Sequence, residues 1–248
     1  MRKVLAVAAL VGTAALVYAA VALATGTQQN VTALFGTKKP GKATTVSIKL
    51  SSTDPTNTTH NNAPDPARKV VISFPKGTNF DPKAAPFCSA TSNDFQNKGT
   101  GACPSKTNIG SGHASANSTF PSVGEIQATV TAFNRKGGLF LYVQPTPGAP
   151  AQPFVINATL AGSKKKGFKL TTTPPPNCLP PGSPPSCSSG EAPLDSFSLN
   201  TKSKKSGKHV FLTSPTTCPK SKKWPFNVTI TFKTDGTKSY PASAPCTK

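Results

Sequence analysis

The chain has 248 residues, with 28 Lys or Arg against only 8 Asp or Glu, a formal charge of +20 at neutral pH. It carries 26 Pro and 19 Gly and is 35% hydrophobic, a balance that speaks for strands and turns and against a helical bundle. The charge makes polyanions the natural partners, held by an attraction that salt weakens.

Met1, Arg2 and Lys3 precede an apolar run from Val4 to Ala24, broken only by Gly12 and Thr13. This is the layout of a secretory signal, with Ala22-Leu23-Ala24 as a small-x-small cleavage site. The run is also close to the ~20 residues that span a bilayer, so an uncleaved anchor is the alternative. Either reading of residues 1–24 puts the rest of the chain outside the cytoplasm. Residues 25–41 read as a flexible tether, and residues 42–248 as a single elaborated β-sandwich domain.

Period-two alternation then recurs along the chain. Val46, Ile48 and Leu50 point one way in "TVSIKL", as do Val70, Ile72 and Phe74 in "KVVISF". Residues 53–67 between them form a long polar loop. The same pattern places Ile126, Ala128, Val130 and Ala132 on one face, then Phe154, Ile156, Ala158 and Leu160, then Phe226, Val228, Ile230 and Phe232. Each is a strand with one buried side. "GLFLYV" at 138–143 is apolar on both sides, which predicts a central position. Weaker strands are expected at 167–172, 194–200 and 208–213. "NRKGG" at 134–138, "SKKKG" at 163–167 and "TDGT" at 234–237 are hairpin connections. A division near residues 118–124 is conceivable, but no linker marks it. Short strands at this spacing predict an all-β, antiparallel β-sandwich, immunoglobulin-like or jelly-roll-like, with disulfide-stapled loops.

Six cysteines, Cys88, Cys103, Cys178, Cys187, Cys218 and Cys246, form an even set in an oxidising compartment. No C-x-x-C occurs, and none of His60, His113 and His209 stands at zinc-finger spacing from a cysteine pair. Six cysteines allow fifteen connectivities. Their grouping along the chain favours consecutive pairing, Cys88 with Cys103, Cys178 with Cys187 and Cys218 with Cys246. No cofactor or metal is expected.

"FPKGTNFDPKAAPFC" followed by "ACPSKTNIGSGHA", and later Cys218-Pro219, Trp224, Phe226, Asp235-Gly236-Thr237 and Pro245-Cys246, resemble an arrangement in uncharacterised secreted, disulfide-stapled β-rich proteins of actinobacteria. The resemblance runs from about residue 67 onward. It implies an exported β-rich protein and brings no activity with it.

Catalytic chemistry finds little support. There is no G-x-S-x-G, Ca²⁺ loop, P-loop or dinucleotide fingerprint. His113 and His209 read as exposed surface residues. Asp81 and Asp94 read as loop acids, Asp81 in reach of a lysine, and Glu125, Glu191 and Asp195 as scattered single acids. The lysines say more. They cluster as Lys38, Lys39 and Lys42; as Lys164, Lys165, Lys166 and Lys169; as Lys202, Lys204, Lys205 and Lys208; and as Lys220, Lys222 and Lys223. The last three groups are the expected polyanion-binding residues. Lysine is a mobile point charge without the arginine fork that reads bases, so sequence-specific nucleic-acid binding is not expected. The expected partner is an anionic cell-wall polymer, polysaccharide or membrane surface, and the expected place is outside the cell or on the outer face of its envelope. The expected function is a non-catalytic surface protein, with a secreted hydrolase or a purely structural module as alternatives. Five N-x-S/T sequons, at Asn30, Asn57, Asn117, Asn157 and Asn227, follow from the Thr/Asn-rich composition; Asn57 in its polar loop is the best acceptor. The lysines decide between binder and bland surface by where they fall on the fold: gathered together, or scattered.

Overall fold

The computed structural model describes residues 26–58, 62–117, 124–149, 151–175 and 192–247. Cys178, Cys187, His60 and Glu191 lie outside the described residues. So does most of the conceivable division at 118–124.

Eleven strands make one large antiparallel sheet, nearly barrel-shaped. In chain order they are β1 (Gln28–Phe35), β2 (Val46–Thr53), β3 (Ala67–Ser73), β5 (Asn108–Asn117), β6 (Glu125–Arg135), β7 (Gly138–Pro145), β8 (Phe154–Ser163), β9 (Gly167–Thr172), β10 (Leu194–Thr201), β14 (Lys223–Phe232) and β15 (Thr237–Pro245). Four two-residue strands lie outside it: β4 (Asn79–Phe80), β11 (Lys205–Ser206), β12 (His209–Val210) and β13 (Leu212–Thr213). The spatial order is β1-β2-β10-β5-β6-β7-β8-β9-β3-β14-β15. The two edges come together without a shared ladder. At one end of this seam the Thr27 N–H donates to the Asp235 carboxylate at 2.5 Å and Lys238 Nζ donates to Thr27 O at 3.2 Å. At the other, the Thr247 N–H donates to Lys38 O at 2.9 Å.

The alternating apolar residues face inward and form the main core. Ile48, Ile72, Val130, Ala158, Leu199 and Val228 are all buried, each from a different strand. Phe35 of β1 packs on Trp224 and Phe226 of β14 with ring centroids 5.3 and 5.2 Å apart, across the intervening β15. The outward positions of β1, β2, β5 and β6 are mostly polar, among them Asn30, Thr32, Lys49, Ser51, His113 and Thr129, with exposed Leu34 an exception. That is the reverse of a membrane-spanning barrel, whose apolar band faces lipid. No helix among the described residues is long and apolar enough to cross a membrane.

The alternating segments become strands, and the hairpins at 134–138, 163–167 and 234–237 turn where the sequence places them. β7 is sixth of the eleven. Its double apolarity has a local cause: α1 (Ser92–Lys98) and the Cys88–Cys103 loop cover its outer side, so Phe95 packs on Phe133, Phe140 and Tyr142 as a second, external core. Asp94, expected as a loop acid, belongs to a capping box. Its carboxylate accepts from the Thr91 N–H at 2.9 Å, and Thr91 Oγ1 accepts from the Asp94 N–H at 3.2 Å.

Two expectations need correction. The supposed tether at 25–41 contains β1, which pairs with β2 along its whole length from Gln28↔Thr53 to Phe35↔Val46. Polar Gln28, Gln29 and Asn30 hide its pattern, but Val31, Ala33 and Phe35 face the core. The expected strand at 208–213 is two separate pieces. β12 pairs with β11, while β13 pairs with β4.

Two disulfides are present, Cys88–Cys103 and Cys218–Cys246, with Cα atoms 5.4 and 5.8 Å apart. Both join consecutive cysteines. Buried Asn134 fixes the approach to the first: its Nδ2 donates to the carbonyls of Pro82, Ala85 and Pro86, and its own carbonyl accepts from the Cys88 N–H at 2.8 Å.

Candidate functional site: a lysine rim at one end of the sheet

Because neighbouring strands run antiparallel in fixed register, each connection belongs to one of two ends. The β1–β2 hairpin, the end of β10, the start of β5, the β6–β7 and β8–β9 hairpins, the end of β3 and the start of β14 share one end. That end collects the lysines. Lys38, Lys39 and Lys42 come from β1–β2, Arg135 and Lys136 from β6–β7, and Lys164, Lys165 and Lys166 from β8–β9, with Lys169 close by in β9. Lys202, Lys204, Lys205 and Lys208 follow β10. Lys220, Lys222 and Lys223 lead into β14, Lys76 follows β3 and Lys106 precedes β5. All these lysines are exposed except Lys204, which is half-buried. All eleven lysines expected to bind polyanions therefore lie at one end.

The acids lie at the other. Asp54 and Asp65 are in the β2–β3 connection, Asp235 is in the β14–β15 turn, and Glu125 and Asp195 sit at the starts of β6 and β10. These are five of the chain's 8 acidic residues. Among the described residues, the lysine end holds only Asp81 and Asp94, and both are engaged. Asp94 is in the capping box and also 3.5 Å from Lys98 Nζ.

Asp81 corrects the sequence reading. It is paired with His209, Oδ2 to Nδ1 at 2.6 Å, and it also caps a short 3₁₀ turn by accepting from the Lys83 N–H at 3.0 Å. The hydrogen bond from His209, outweighing partial burial and helped by the Lys83 amide, holds the Asp81 carboxyl below its usual range. His209 is half-buried, not exposed, because β12 folds back beside this turn. The pair is 128 residues apart in sequence, and no local motif announces it. His113 is exposed on the outward face of β5, where its N–H donates to Ser198 Oγ.

At the opposite end, burial and then the nearby Glu125 charge raise the Asp195 carboxyl, with Ser115 pulling the other way through a hydrogen bond. Asp235 shows the converse. Burial pushes it up, but donation from the Thr27 amide and from Lys238 outweighs this and leaves it below the usual value. Asp65 completes the clasp by accepting from the Thr234 and Asp235 amides at 2.6 and 2.7 Å. These acids knot the seam and its turns. Among the described residues, no three His, Cys, Asp or Glu side chains converge.

Beside this end lies a cavity of about 90 Å³, lined by Ala114, Ala116, Val143, Phe154, Ile156 and Phe197 among others. Its lining is almost wholly apolar, and Arg68 is the one charged residue in it. Comparison with family models, with curated proteins and with solved structures found no match.

Proposed function

We propose that this chain is a non-catalytic, exported β protein that holds an anionic polymer of the cell envelope against its lysine rim. We read its nearly closed sheet as two facing layers, sandwich-like, with Phe35, Phe74, Trp224 and Phe226 packed between them. The observation that carries the functional reading is the segregation of charge: eighteen of the chain's 28 Lys and Arg gather at this end, most of them on its connections, against two engaged acids among the described residues. Such a field concentrates polyanions and falls within about a Debye length, ~8 Å at physiological salt. A solvated surface that merely kept the chain soluble needs no such segregation. Lysines that blunt exposed strand edges would lie along edge strands; these lie mostly on connections, and none of them is in β1 or β15, the edges of the large sheet.

Export is supported by the apolar N-terminal run, the disulfides and the resemblance to secreted actinobacterial proteins. The described chain enters the sheet at Gln28, at the acidic end. A membrane segment before it would therefore leave the lysine rim facing away from that membrane, toward the wall.

The hydrolase reading has one observation in its favour, the Asp81–His209 pair. Among the described residues, no hydroxyl or thiol hydrogen-bonds His209, so the pair lacks the nucleophile that a triad needs.

The test is co-sedimentation of the purified protein with isolated anionic envelope polymer. Binding at low salt that is lost steeply toward 0.5 M salt is expected. Absence of binding at low salt, or retention indifferent to salt, contradicts the proposal.

A further inference from the structure

The rim is not uniform. Three of its connections converge on one shallow, open seat, lined by Lys76 and Gly77 after β3, Lys164 and Lys165 in the β8–β9 hairpin, and Thr216 and Thr217 before β14. They come from three separate stretches of sequence, and the fold fixes them together. The Gly77 N–H donates to Lys164 O at 2.8 Å, and the Phe74 N–H to Phe168 O at 2.9 Å. Buried Trp224 donates its indole N–H to Thr217 O at 2.8 Å, and the Cys218–Cys246 disulfide follows at once.

We propose that this seat binds one tetrahedral oxyanion, phosphate or sulfate, borne on the polymer. The inference rests on the functional reading above and names where and how the polymer is gripped. Three features carry it. None of Lys76, Lys164 and Lys165 has a carboxylate partner among the described residues, so their ammonium charges are available. The turn from Pro75 to Thr78 is closed by donation from the Thr78 N–H to Pro75 O at 3.2 Å, with Gly77 at φ +88° in its third position. A Cβ at Gly77 would stand 3.1 Å from the Thr216 amide nitrogen and 3.3 Å from Thr216 Oγ1, so glycine keeps open the space above that N–H and hydroxyl. Neither the Thr216 nor the Thr217 N–H donates to another backbone group of the described residues.

Ammonium, amide and hydroxyl donors around a shallow seat match the several oxygens of a tetrahedral anion. A planar carboxylate is better served by the arginine fork, which is absent here. Lys165 and Lys164 would hold the anion as point charges while Thr216 and Thr217 fix its position.

The test titrates residues 25–248 with inorganic tripolyphosphate, poly(glycerol phosphate), heparin and polyglutamate, following backbone amide shifts by NMR. The amides of Gly77, Thr216 and Thr217 are expected to move first with the phosphate probes, with heparin, or with both; which set moves them names the source of the oxyanion. Lys76→Gln with Lys165→Gln should weaken that binding about 25-fold, at about fivefold per lysine. Lys204→Gln with Lys205→Gln, equal in charge but away from the seat, should weaken it less. Gly77→Ala should block the seat with no change of charge, and the lysine pair keeps the test decisive if that variant folds poorly. Equal losses from the two lysine pairs, amides at 77, 216 and 217 that stay still while the rest of the rim responds, or polyglutamate binding there as well as the phosphate probes, overturn the seat but leave the rim reading standing. Failure of every polymer to bind the unaltered protein overturns both.

Discussion

The two ends of the sheet are held by different forces. At the lysine end, like charges on neighbouring connections repel one another, and both described disulfides lie there, Cys218–Cys246 at the mouth of β14 and Cys88–Cys103 beside the start of β5. At the acidic end, the seam closes through Asp65 and Asp235, which gather the Thr27, Thr234 and Asp235 amides and the Lys238 ammonium. A carboxylate that accepts amide protons satisfies local donors and leaves little charge for a partner. Lysines on exposed hairpins satisfy nothing within the fold. The difference teaches that one end spends its charge internally while the other presents it.

Breaking the staple at the lysine end has the largest expected effect. Replacing Cys218 and Cys246 together by Ala opens a 28-residue connection and should lower stability by about 3–4 kcal/mol, read from urea unfolding. Added salt should recover part of that loss by screening the rim. Next, Asp235→Asn removes the charged acceptor at the seam and should cost about 2 kcal/mol at neutral pH. The folded-state pKa of Asp235 is depressed, so its contribution is full above the unfolded carboxylate range and is lost as pH falls through the folded value. The difference between Asp235→Asn and the parent should therefore shrink in acid, in a pH series of thermal melts. Thr91→Ala, which breaks the capping box over the external core, should cost about 1 kcal/mol. The smallest effect has the opposite sign. The Asp195 pKa is raised, so ionised Asp195 weakens the fold at neutral pH, and Asp195→Asn should stabilise there by an amount that vanishes as pH falls.

Much of this was legible in the sequence because alternation is a local signal. β2, β3, β6, β7, β8 and β14 could be read from their own residues, and β9 and β10 from weaker versions of the same pattern. The two staples were legible from cysteine grouping. β1 was not, since its first three residues are polar and only pairing with β2 and packing on Trp224 make it a strand. Nor was α1, whose single buried side chain, Phe95, leaves no helical period to read. The lysine clusters were visible, but their union was not. Which end a hairpin occupies is decided by the strand order, and β3 lies between β9 and β14, far from β2 in the sheet. That same order brings Lys76 beside Lys164 and Thr216, and Asp81 beside His209.

The central claim is tested most directly by moving equal charge at different places. Lys204→Gln with Lys205→Gln removes two cations from the rim, while Lys49→Gln with Lys69→Gln removes two from the outward strand faces away from it. Elution of both variants from immobilised anionic envelope polymer, along one salt gradient, compares place at constant net charge. The rim pair should elute at clearly lower salt than the parent, with the strand pair close to the parent. Coincident elution of the two variants would show that net charge alone governs the attraction, and that the gathering of lysines at one end has no part in it.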